Sequence, residues 1–413
     1  MLRAGSILYA VFISLVAALL CGFLVMVQYY QLLLVDREKI ISSMHTDIRS
    51  AVVFLIKHPE AIGYNKQSEI DLFDDSLSRV QVYKEHWGAY DILTAKKKWR
   101  KYHAEEAVMI GADSLDEAAL YLPNNNLQFS VGPSVVLKGN CYVPGGSIRV
   151  SVYNSNSINT DALKSCIKRN SEDHLPVCNK IFMDHDLFID SILSATDTIH
   201  SYYQFISGQD SIVRSFFQPS IVLKEEDNIY IGKMSIRGKV IIRSLKSIEI
   251  SSDAHLNDVI LIAPFIQFKE NFKGSVQAFA EDSIRVESSC ELLYPTMLCV
   301  WGNHSMRLNI EEEAKVAGGL MMIFGGSPGS DLSIIEIKKK ASVWGVVFCN
   351  AYCDVKGSVI GSLYTSRFIS RTAYATNENM IEDAVIDFSS LPKDYKAPLI
   401  FPNKGYSIAK WLK

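Results

Sequence analysis

A histidine flanked by two aspartates, Asp184-His185-Asp186, is the first group of residues in this sequence that could do chemistry. Carboxylates beside a histidine orient the imidazole for acid–base work or for metal ligation. The neighbouring sequence has no second cluster of His, Cys or Asp at the spacing of metal ligands. We therefore expect the start of a surface helix here, and we predict no catalytic residue, no metal ligand and no cofactor.

Two charge blocks of opposite sign are the second such feature. Three consecutive acids precede Ala314, and three consecutive bases precede Ala341 in the same relation. On neighbouring strands, about 4.8 Å apart, the blocks would form a ladder of opposite charges. Exposed pairs contribute about 0.2–1 kcal/mol each, so we expect the ladder to set register more than stability. The predicted ladder consists of Glu311, Glu312, Glu313, Lys338, Lys339 and Lys340.

The eight cysteines show no regular pairing. Cys21 lies in an apolar run, and the odd number that remains does not indicate a disulfide framework. Cys349 and Cys353 have a C-x3-C spacing but lack a second pair at zinc spacing. We expect buried thiols, which pack as small apolar side chains. The cysteines outside the apolar run are Cys141, Cys166, Cys178, Cys290, Cys299, Cys349 and Cys353.

Composition and motifs exclude several classes of protein. The 413 residues are 48% hydrophobic and 21% charged, with 42 basic against 45 acidic side chains and a formal net charge of −3. This excludes a disordered or collagen-like chain, and it lacks the basic excess of a dedicated nucleic-acid binder. No P-loop, nucleophile elbow, HExxH or dinucleotide-binding motif occurs. We predict a protein that is not an enzyme and has no nucleic-acid partner.

The first structural element of the chain is an uncharged apolar run at residues 7–27. As a helix, about 20 apolar residues cross roughly 30 Å of hydrocarbon. The run continues past residue 27 without a small-residue cleavage site, which disfavours a signal peptide. Leu19 and Leu20 precede Cys21 where a lipoprotein would need a small residue. We predict a membrane anchor over residues 1–35 in the bacterial cell membrane.

An amphipathic stalk follows the anchor at residues 36–58. Its apolar residues recur at spacings of three and four until Pro59, which indicates one helix continuing out of the bilayer. We expect this stripe to pack on the chain's own domain, with packing on other copies or partner helices as the alternative. The stripe consists of Ile40, Ile41, Met44, Ile48, Ala51, Val52 and Leu55.

The N-terminal segment resembles that of minor pilins and pseudopilins of type IV filament systems. It has a short basic leader with Arg3 and Gly5, an apolar helix and an amphipathic continuation, but it lacks the glutamate at the fifth mature position. The resemblance implies processing after Gly5. The positive-inside rule compares Arg3 before the run with Arg37, Lys39 and Arg49 after it, which favours a cytoplasmic C-terminal portion. Interleaved acids leave the orientation open. The resemblance implies that the C-terminal domain lies outside the cytoplasm, and this is the placement that we expect.

The middle of the chain contains strand-like segments and a basic run. Segments 79–83, 90–95 and 107–110 read as short strands, so we predict a small β-rich domain over residues 60–128, followed by a mixed connecting region over residues 129–225. The basic run at 96–101 includes Trp99. An aromatic residue in a basic run can mark nucleic acid or an anionic membrane surface. We expect a solvated strand or loop instead.

A repeat of about 18 residues runs through residues 236–370. Six short apolar segments align, and their second residues are separated by 18, 18, 22, 28 and 18 residues. The longer intervals contain insertions at 301–304 and 325–330. The second residues are Ile248, Ile266, Ile284, Met306, Ile334 and Tyr352. A second column in the same phase consists of Ala254, Phe272, Cys290, Ala314 and Ala341.

Each repeat supplies short alternating strands and returns to the same register, which is typical of a solenoid. Gly318, Gly345 and Gly361 recur at matching corners, where a sandwich would have hairpin turns. The predicted fold class is therefore mainly β, with an N-terminal transmembrane helix, an amphipathic stalk, a small β-rich domain and a C-terminal parallel β-helix. The β-helix covers residues 226–385, and residues 386–413 form a tail or cap. A sandwich or jelly roll is the alternative.

The repeat resembles the β-helices of bactofilins, which polymerise end to end. The layout of anchor, stalk, small β domain and β-helix is similar to membrane-anchored proteins of unassigned function in the Bacteroidota. These resemblances predict a single-pass membrane-anchored scaffold that is not an enzyme and self-assembles through its β-helix. Its expected partners are the lipid bilayer and further copies or other envelope proteins.

Two alternative functions stay open. The first is a minor pilin-like subunit of a type IV filament or secretion system. The second is a cell-surface β-helix that binds or cleaves carbohydrate. Enzymes of the second kind carry acids clustered on one sheet, whereas the acids of this repeat fall in different phases. Those acids are Asp253, Asp258, Asp282, Asp331 and Asp354.

Overall fold

A computed structural model describes residues 4–73, 78–113, 117–132, 134–150, 165–194, 197–326, 332–371, 376–402 and 404–412 of the chain. It is mainly β, with 49% of the residues in strands and 20% in helices, and it has a long apolar helix at the N-terminus. The predicted fold class is confirmed at this level. Arg3, Asp331 and positions 327–330 of the second predicted insertion lie outside the described residues.

The chain divides into two compact units. Unit 1 comprises Met1–Leu55, Gln67–Val82 and Ala95–Glu106, and unit 2 comprises Ile56–Lys66, Tyr83–Thr94 and Ala107–Lys413. The helices are α1 (Ala4–Lys57), α2 (Lys180–Met183), α3 (His185–Ile192) and α4 (Tyr202–Ile206), with 3₁₀ turns at Pro59–Ala61 and Pro144–Gly146.

Strands occur from the first unit onward. They are β1 (Ser68–Asp71), β2 (Arg79–Trp87), β3 (Tyr90–Trp99), β4 (Tyr102–Ala112), β5 (Ala118–Tyr121), β6 (Phe129–Val131), β7 (Val136–Val143), β8 (Ile148–Val150), β9 (Cys166–Asn170), β10 (Thr198–Ser201) and β11 (Ser211–Arg214). The next are β12 (Ile221–Glu225), β13 (Ile229–Ile231), β14 (Ser235–Gly238), β15 (Val240–Ser244), β16 (Ser247–Ile250), β17 (His255–Ile262), β18 (Phe265–Phe268), β19 (Lys273–Ala280) and β20 (Ser283–Val286).

The remaining strands include the longest ones. They are β21 (Glu291–Gly302), β22 (Arg307–Ile310), β23 (Lys315–Phe324), β24 (Ile334–Ile337), β25 (Ser342–Val355), β26 (Ser358–Arg371), β27 (Thr376–Glu378), β28 (Met380–Ile381), β29 (Val385–Asp387) and β30 (Tyr406–Leu412). Strands β1, β2, β3, β4 and β30 form one sheet in this order, and β28, β6 and β8 form another.

Helix α1 has 54 residues and two different halves. Among the described residues it is the one helix long and apolar enough to cross a membrane, with a mean hydropathy of 2.8 in its most apolar window. The apolar side chains of that half are exposed. Farther along, Met44, Ile48, Ala51 and Val52 are at most 2% exposed. This stripe packs on the chain's own strands, because His45 and Asp47 contact side chains of β4 and β3.

Parallel ladders dominate unit 2. Strands β13, β16, β18, β20, β22 and β24 pair in parallel one after another, and β24 then pairs with the end of β25. Strands β17, β19, β21, β23, β25 and β26 form a second parallel series. The register shifts within several of these pairings, between Asn257 and Val259 in β17 and between Leu292 and Thr296 in β21, so the two halves of such a strand are paired in different registers.

The register of the first series corrects the predicted column. Ile248, Ile266 and Ile284 stack as expected. Beyond them Ile284 pairs with Leu308 rather than with Met306, and the column continues through Ile335 and Cys353. The predicted Ile334 and Tyr352 each lie one residue ahead of this column. Side chains alternate with a period of two, so the two-residue offset of Met306 does not change its face, whereas the one-residue offset of Ile334 and Tyr352 does.

The predicted glycine corners stack directly on one another. Gly318 pairs with Gly345, and Gly345 pairs with Gly361. Their φ angles are +145°, +140° and +144°, which disfavour any side chain. A Cβ on Gly345 would lie 1.9 Å from the carbonyl oxygen of Gly318. Glycine is therefore required for the backbones to approach this closely.

The parallel ladder is not continuous in sequence. Strand β26 pairs with β5 and β29, β29 pairs with β7, and β7 pairs with β9. At the other end, β12 pairs with β10 and β15. The ladder thus includes strands from the ranges predicted as the small β-rich domain and the connecting region, in addition to residues 226–385.

Two apolar clusters stabilise unit 2. One lies inside the ladder and contains the predicted second column, whose members are all 0% exposed. The other covers an outward face of the ladder, where Phe182 of α2 and Phe188 of α3 pack with Phe279 and Trp301. This face of the ladder is therefore closed by the chain itself.

Candidate functional site

The predicted charge blocks meet at one direct pair. Glu313 and Lys340 occupy corners with φ angles of +63° and +62°, and Lys340 Nζ lies 3.0 Å from Glu313 Oε1. The other members contact different partners. Lys339 pairs with Asp383 at 2.9 Å, Lys338 pairs with Glu336 at 3.3 Å, and Glu311 pairs with Arg285 at 3.2 Å.

A second ladder of alternating charge was not predicted. Lys273, Glu291 and Lys315 pair in register on β19, β21 and β23. Glu291 carboxylate oxygens lie 2.7 Å from Lys273 Nζ and 3.5 Å from Lys315 Nζ. The hydrogen bond from Lys273, with its charge and that of Lys315, holds the pKa of Glu291 below its usual value. The sequence contained a signal for this ladder, because Lys273, Glu291 and Lys315 each directly follow a member of the predicted second column.

An outward column of polar residues runs along the first series of strands. Register places Glu249, Gln267, Arg285, Asn309, Glu336 and Asp354 in this column. Glu336 and Asp354 are adjacent, and Asp354 is 7% exposed. Burial raises the pKa of Asp354, and the Glu336 charge adds to the effect. This adjacency has a sequence signal, because Glu336 and Asp354 lie one 18-residue repeat apart, but the acids predicted to be scattered included Asp354 and not Glu336.

The predicted helix start at Asp184 is present. Asp184 caps α3 by accepting a hydrogen bond from the Leu187 amide at 3.1 Å. His185 follows it, with Nδ1 at 3.2 Å from Asp186 and Nε2 at 3.6 Å from Glu281. His185, the residue singled out for acid–base work or metal ligation, thus links α3 to Glu281, which directly follows β19.

His185 lines a cleft of about 290 Å³ together with Glu281, Trp301 and His304. Nε2 of His304 contacts Asp282. The cleft is therefore lined by two imidazoles and one carboxylate that are far apart in sequence, and no local spacing could have indicated it. Within the described ranges, no group of three or more His, Cys, Asp or Glu side chains is arranged to hold a metal ion.

A buried polar cluster surrounds Asp91, which is 0% exposed. Its carboxylate accepts hydrogen bonds from Tyr64 Oη at 2.6 Å and from His86 Nδ1 at 2.8 Å, and Lys84 Nζ lies 3.5 Å away. Burial, followed by the Asp91 charge, raises the pKa of Tyr64 far above its usual value. These contacts satisfy the carboxylate, so the cluster is complete without a ligand.

The eight cysteines are free thiols. Cys299, Cys349 and Cys353 are 0% exposed, in agreement with the expected burial, whereas Cys166 is only partly buried. Cys141 and Cys166 lie on the paired strands β7 and β9. A hydrogen bond from Cys141 lowers the pKa of Cys166.

The predicted processing position, Gly5, lies in the first turn of α1 and is exposed. No heavy atom lies within 4 Å of the position that a Cβ on Gly5 would take. The chain matches no protein-family model, no curated protein and no solved structure. Function must therefore be inferred from the residues themselves.

Proposed function

We propose that this chain is a single-pass membrane-anchored structural protein whose parallel strands wind as a β-helix and serve as a scaffold without enzymatic activity. The observation that carries the proposal is the extended parallel ladder with an apolar interior, joined in one chain to a helix whose N-terminal half exposes its apolar side chains. A filled interior offers stiffness and surface area rather than a binding cavity.

Three features support a β-helix of about 18 residues per coil. The strands pair in parallel with their counterparts in the next repeat, the glycine corners stack, and the register shifts partway along several of the long strands. Glu312 and Lys339 would then occupy equivalent corners of adjacent coils. Cysteines placed at both positions should form an intramolecular disulfide that mass spectrometry detects, whereas an E312C/K246C pair should not. Absence of the Glu312–Lys339 crosslink would overturn the coil assignment.

Membrane anchoring follows from α1. The full chain should remain with the bilayer after alkaline carbonate extraction, and a variant with Leu15→Lys, Leu19→Lys and Leu24→Lys should not. Charged residues near a helix centre cost about 2.5–3.5 kcal/mol each on insertion scales. We propose that the C-terminal domain lies outside the cytoplasm, which protease treatment of intact cells tests. Release of the unmodified chain by carbonate would contradict the anchor.

Self-association is the proposed role of the scaffold, with further copies or other envelope proteins as partners. Sedimentation of the detergent-solubilised full chain should show oligomers that grow with concentration. A strictly monomeric chain would remove this role. The minor pilin-like alternative predicts a chain cleaved after Gly5, and intact-mass measurement separates the two.

Carbohydrate cleavage is the second candidate function, and the Glu336–Asp354 pair favours it. Neighbouring strands are about 4.8 Å apart, close to the separation of roughly 5–5.5 Å between the two carboxyl groups of retaining glycosidases. The raised pKa of Asp354 suits a proton donor. Release of reducing ends from a polysaccharide panel by the full chain, lost in E336Q and D354N but kept in D253N, would establish this function in place of the scaffold.

A further inference from the structure

The tip of the β3–β4 hairpin in unit 1 is basic and aromatic. Lys98, Arg100 and Lys101 are exposed, while Trp99 and Tyr102 are half-buried beside them. The Arg100 guanidinium lies 5.9 Å from the Trp99 ring centre, and Lys101 Nζ lies 5.4 Å from that of Tyr102. Basic and aromatic side chains together are the residues that contact membrane–water interfaces.

Side-chain contacts set the position of this hairpin along α1. Glu106 of β4 lies 2.7 Å from His45 Nδ1 and 3.2 Å from Arg49 Nε. Lys97 of β3 is 7% exposed and forms an ion pair with Asp47. The part of the hairpin around Lys97 and Glu106 therefore lies beside residues 45–49 of the helix.

The direction of the hairpin follows from a second contact. Ile56 and Lys57 line one cleft with Ala112 of β4. Moving from Ala112 to Glu106 along the strand thus corresponds to moving from residue 57 toward residue 47 along the helix. The tip continues beyond Glu106, toward the N-terminal end of α1.

Geometry places the tip near residues 36–40 of the helix. From Glu106 to Tyr102 a strand advances about 13 Å, and the same distance along a helix covers about nine residues. Burial agrees with this position, because Ile40 and Ile41 are the first residues of the stalk stripe to be partly covered. Val35 ends the apolar run, and Ile40 lies only about 7.5 Å farther along the helix.

The headgroup layer on each side of a bilayer is roughly 5–7 Å thick. If α1 spans the membrane, the hairpin tip therefore lies at the headgroups. The turn between β1 and β2 contributes Phe73, which is 66% exposed. Acids also face this region: Asp36 and Glu38 are exposed on α1, Glu105 pairs with Lys96 at 3.7 Å, and Asp71 pairs with Arg79.

We propose that Lys98, Arg100 and Lys101 bind the headgroups of anionic phospholipids in the membrane that α1 spans, with Trp99 and Tyr102 at the interface. The proposal rests on the anchoring role of α1 given above. It assigns the basic run a membrane contact in place of the solvated loop expected from the sequence.

The test uses the full chain in lipid nanodiscs, made either of phosphatidylcholine alone or of phosphatidylcholine with 30% phosphatidylglycerol. Hydrogen exchange of the 98–102 backbone should be at least threefold slower in the anionic discs at low salt, and the difference should shrink at high salt. Each basic residue near an anionic surface strengthens the contact by about fivefold. K98Q/R100Q/K101Q should therefore lose the difference, whereas K233Q/R237Q/R307Q, which neutralises three exposed bases of unit 2, should keep it.

The outcomes separate the two proposals. Equal exchange of the 98–102 backbone in both kinds of disc would overturn the headgroup contact and leave the anchor intact. Failure of the chain to enter either disc would overturn the anchor, and the contact with it. Slower exchange caused by an added DNA oligonucleotide, but not by phosphatidylglycerol, would assign the tip to nucleic acid instead.

Discussion

Lys138 and Asp387 join two strands that are far apart in sequence. Lys138 Nζ donates a hydrogen bond of 2.9 Å to Asp387 Oδ2 across 249 residues, and the two residues are paired in register between β7 and β29. Asp387 also accepts hydrogen bonds from the side chains of Ser389 and Ser390. The pair therefore lies where strands from the early part of the chain extend the ladder beyond β26.

Asp387→Asn should destabilise the chain in a pH-dependent way. Burial raises the pKa of Asp387, but hydrogen bonds from Ser389, Lys138 and Ser390 outweigh it and lower the pKa to about 2. An unfolded aspartate titrates near 3.9. The resulting stabilisation, about 2 kcal/mol, is present above pH 4 and is lost as the pH falls toward 2.

Thermal unfolding of the detergent-solubilised chain between pH 2 and 7 measures this effect. The melting temperature of wild type should exceed that of D387N at pH 7, and this difference should disappear as the pH falls. D253N, which changes an exposed aspartate, should have the melting temperature of wild type throughout. A constant difference between wild type and D387N across this range would contradict the assignment.

Gly345→Ala should be among the most damaging single changes in the ladder. Its Cβ would lie 1.9 Å from the Gly318 carbonyl oxygen and 2.4 Å from Tyr395 Oη. Neither the backbone nor the φ of +140° accommodates a side chain. We expect a cost of roughly 3 kcal/mol or more, visible as a lower melting temperature. Gly63→Ala, with no heavy atom within 4 Å of its Cβ, is the matched control, and equal melting of the two variants would refute the stacked corner.

Asp47→Asn should loosen the stalk from its strands. Lys97 would keep a buried charge without its partner, and breaking such a pair costs about 3–5 kcal/mol. Hydrogen exchange of residues 95–106 should become faster in D47N. The double variant D47N/K97M should restore protection, because an apolar side chain tolerates the buried site. Unchanged exchange in D47N would mean that the ion pair does not stabilise the docked helix.

Glu291→Gln should have a small and salt-sensitive effect. Lys273 and Lys315 side chains are 63% and 64% exposed, and exposed pairs contribute at most about 1 kcal/mol each. Melting at low salt should drop by a few degrees or less, and the difference should vanish near 1 M salt as charges are screened. A large loss of stability at high salt would show that Glu291 acts through packing instead.

Cys166 should react with iodoacetamide before Cys141 does. Cys166 is partly exposed and its pKa is lowered by the hydrogen bond from Cys141, so more of it is thiolate at neutral pH. C141A removes the hydrogen bond and should slow the alkylation of Cys166 at pH 7, as peptide mass spectrometry measures. If C141A leaves the rate unchanged, the thiol pair does not control reactivity.

The amino-acid sequence by itself determined the features that consecutive residues encode. The uncharged run before Asp36 specifies the apolar half of α1, and the spacing of Met44, Ile48 and Val52 specifies the face that α1 buries. Equal intervals between Ile248, Ile266 and Ile284 predict their stacking. These predictions succeed because helix and strand periods are local properties of the chain.

Only the tertiary structure decided what depends on residues far apart. The insertion at 301–304 hides the slip that makes Leu308, rather than Met306, continue the apolar column. The two insertions together also hide the register that places Glu336 and Asp354 in one outward column with Glu249. The joining of β29 to β7 and the cleft that holds His185 and His304 have no local signal either. The reason is physical: which strands become neighbours depends on how the whole chain buries its apolar faces, and no single segment contains that information.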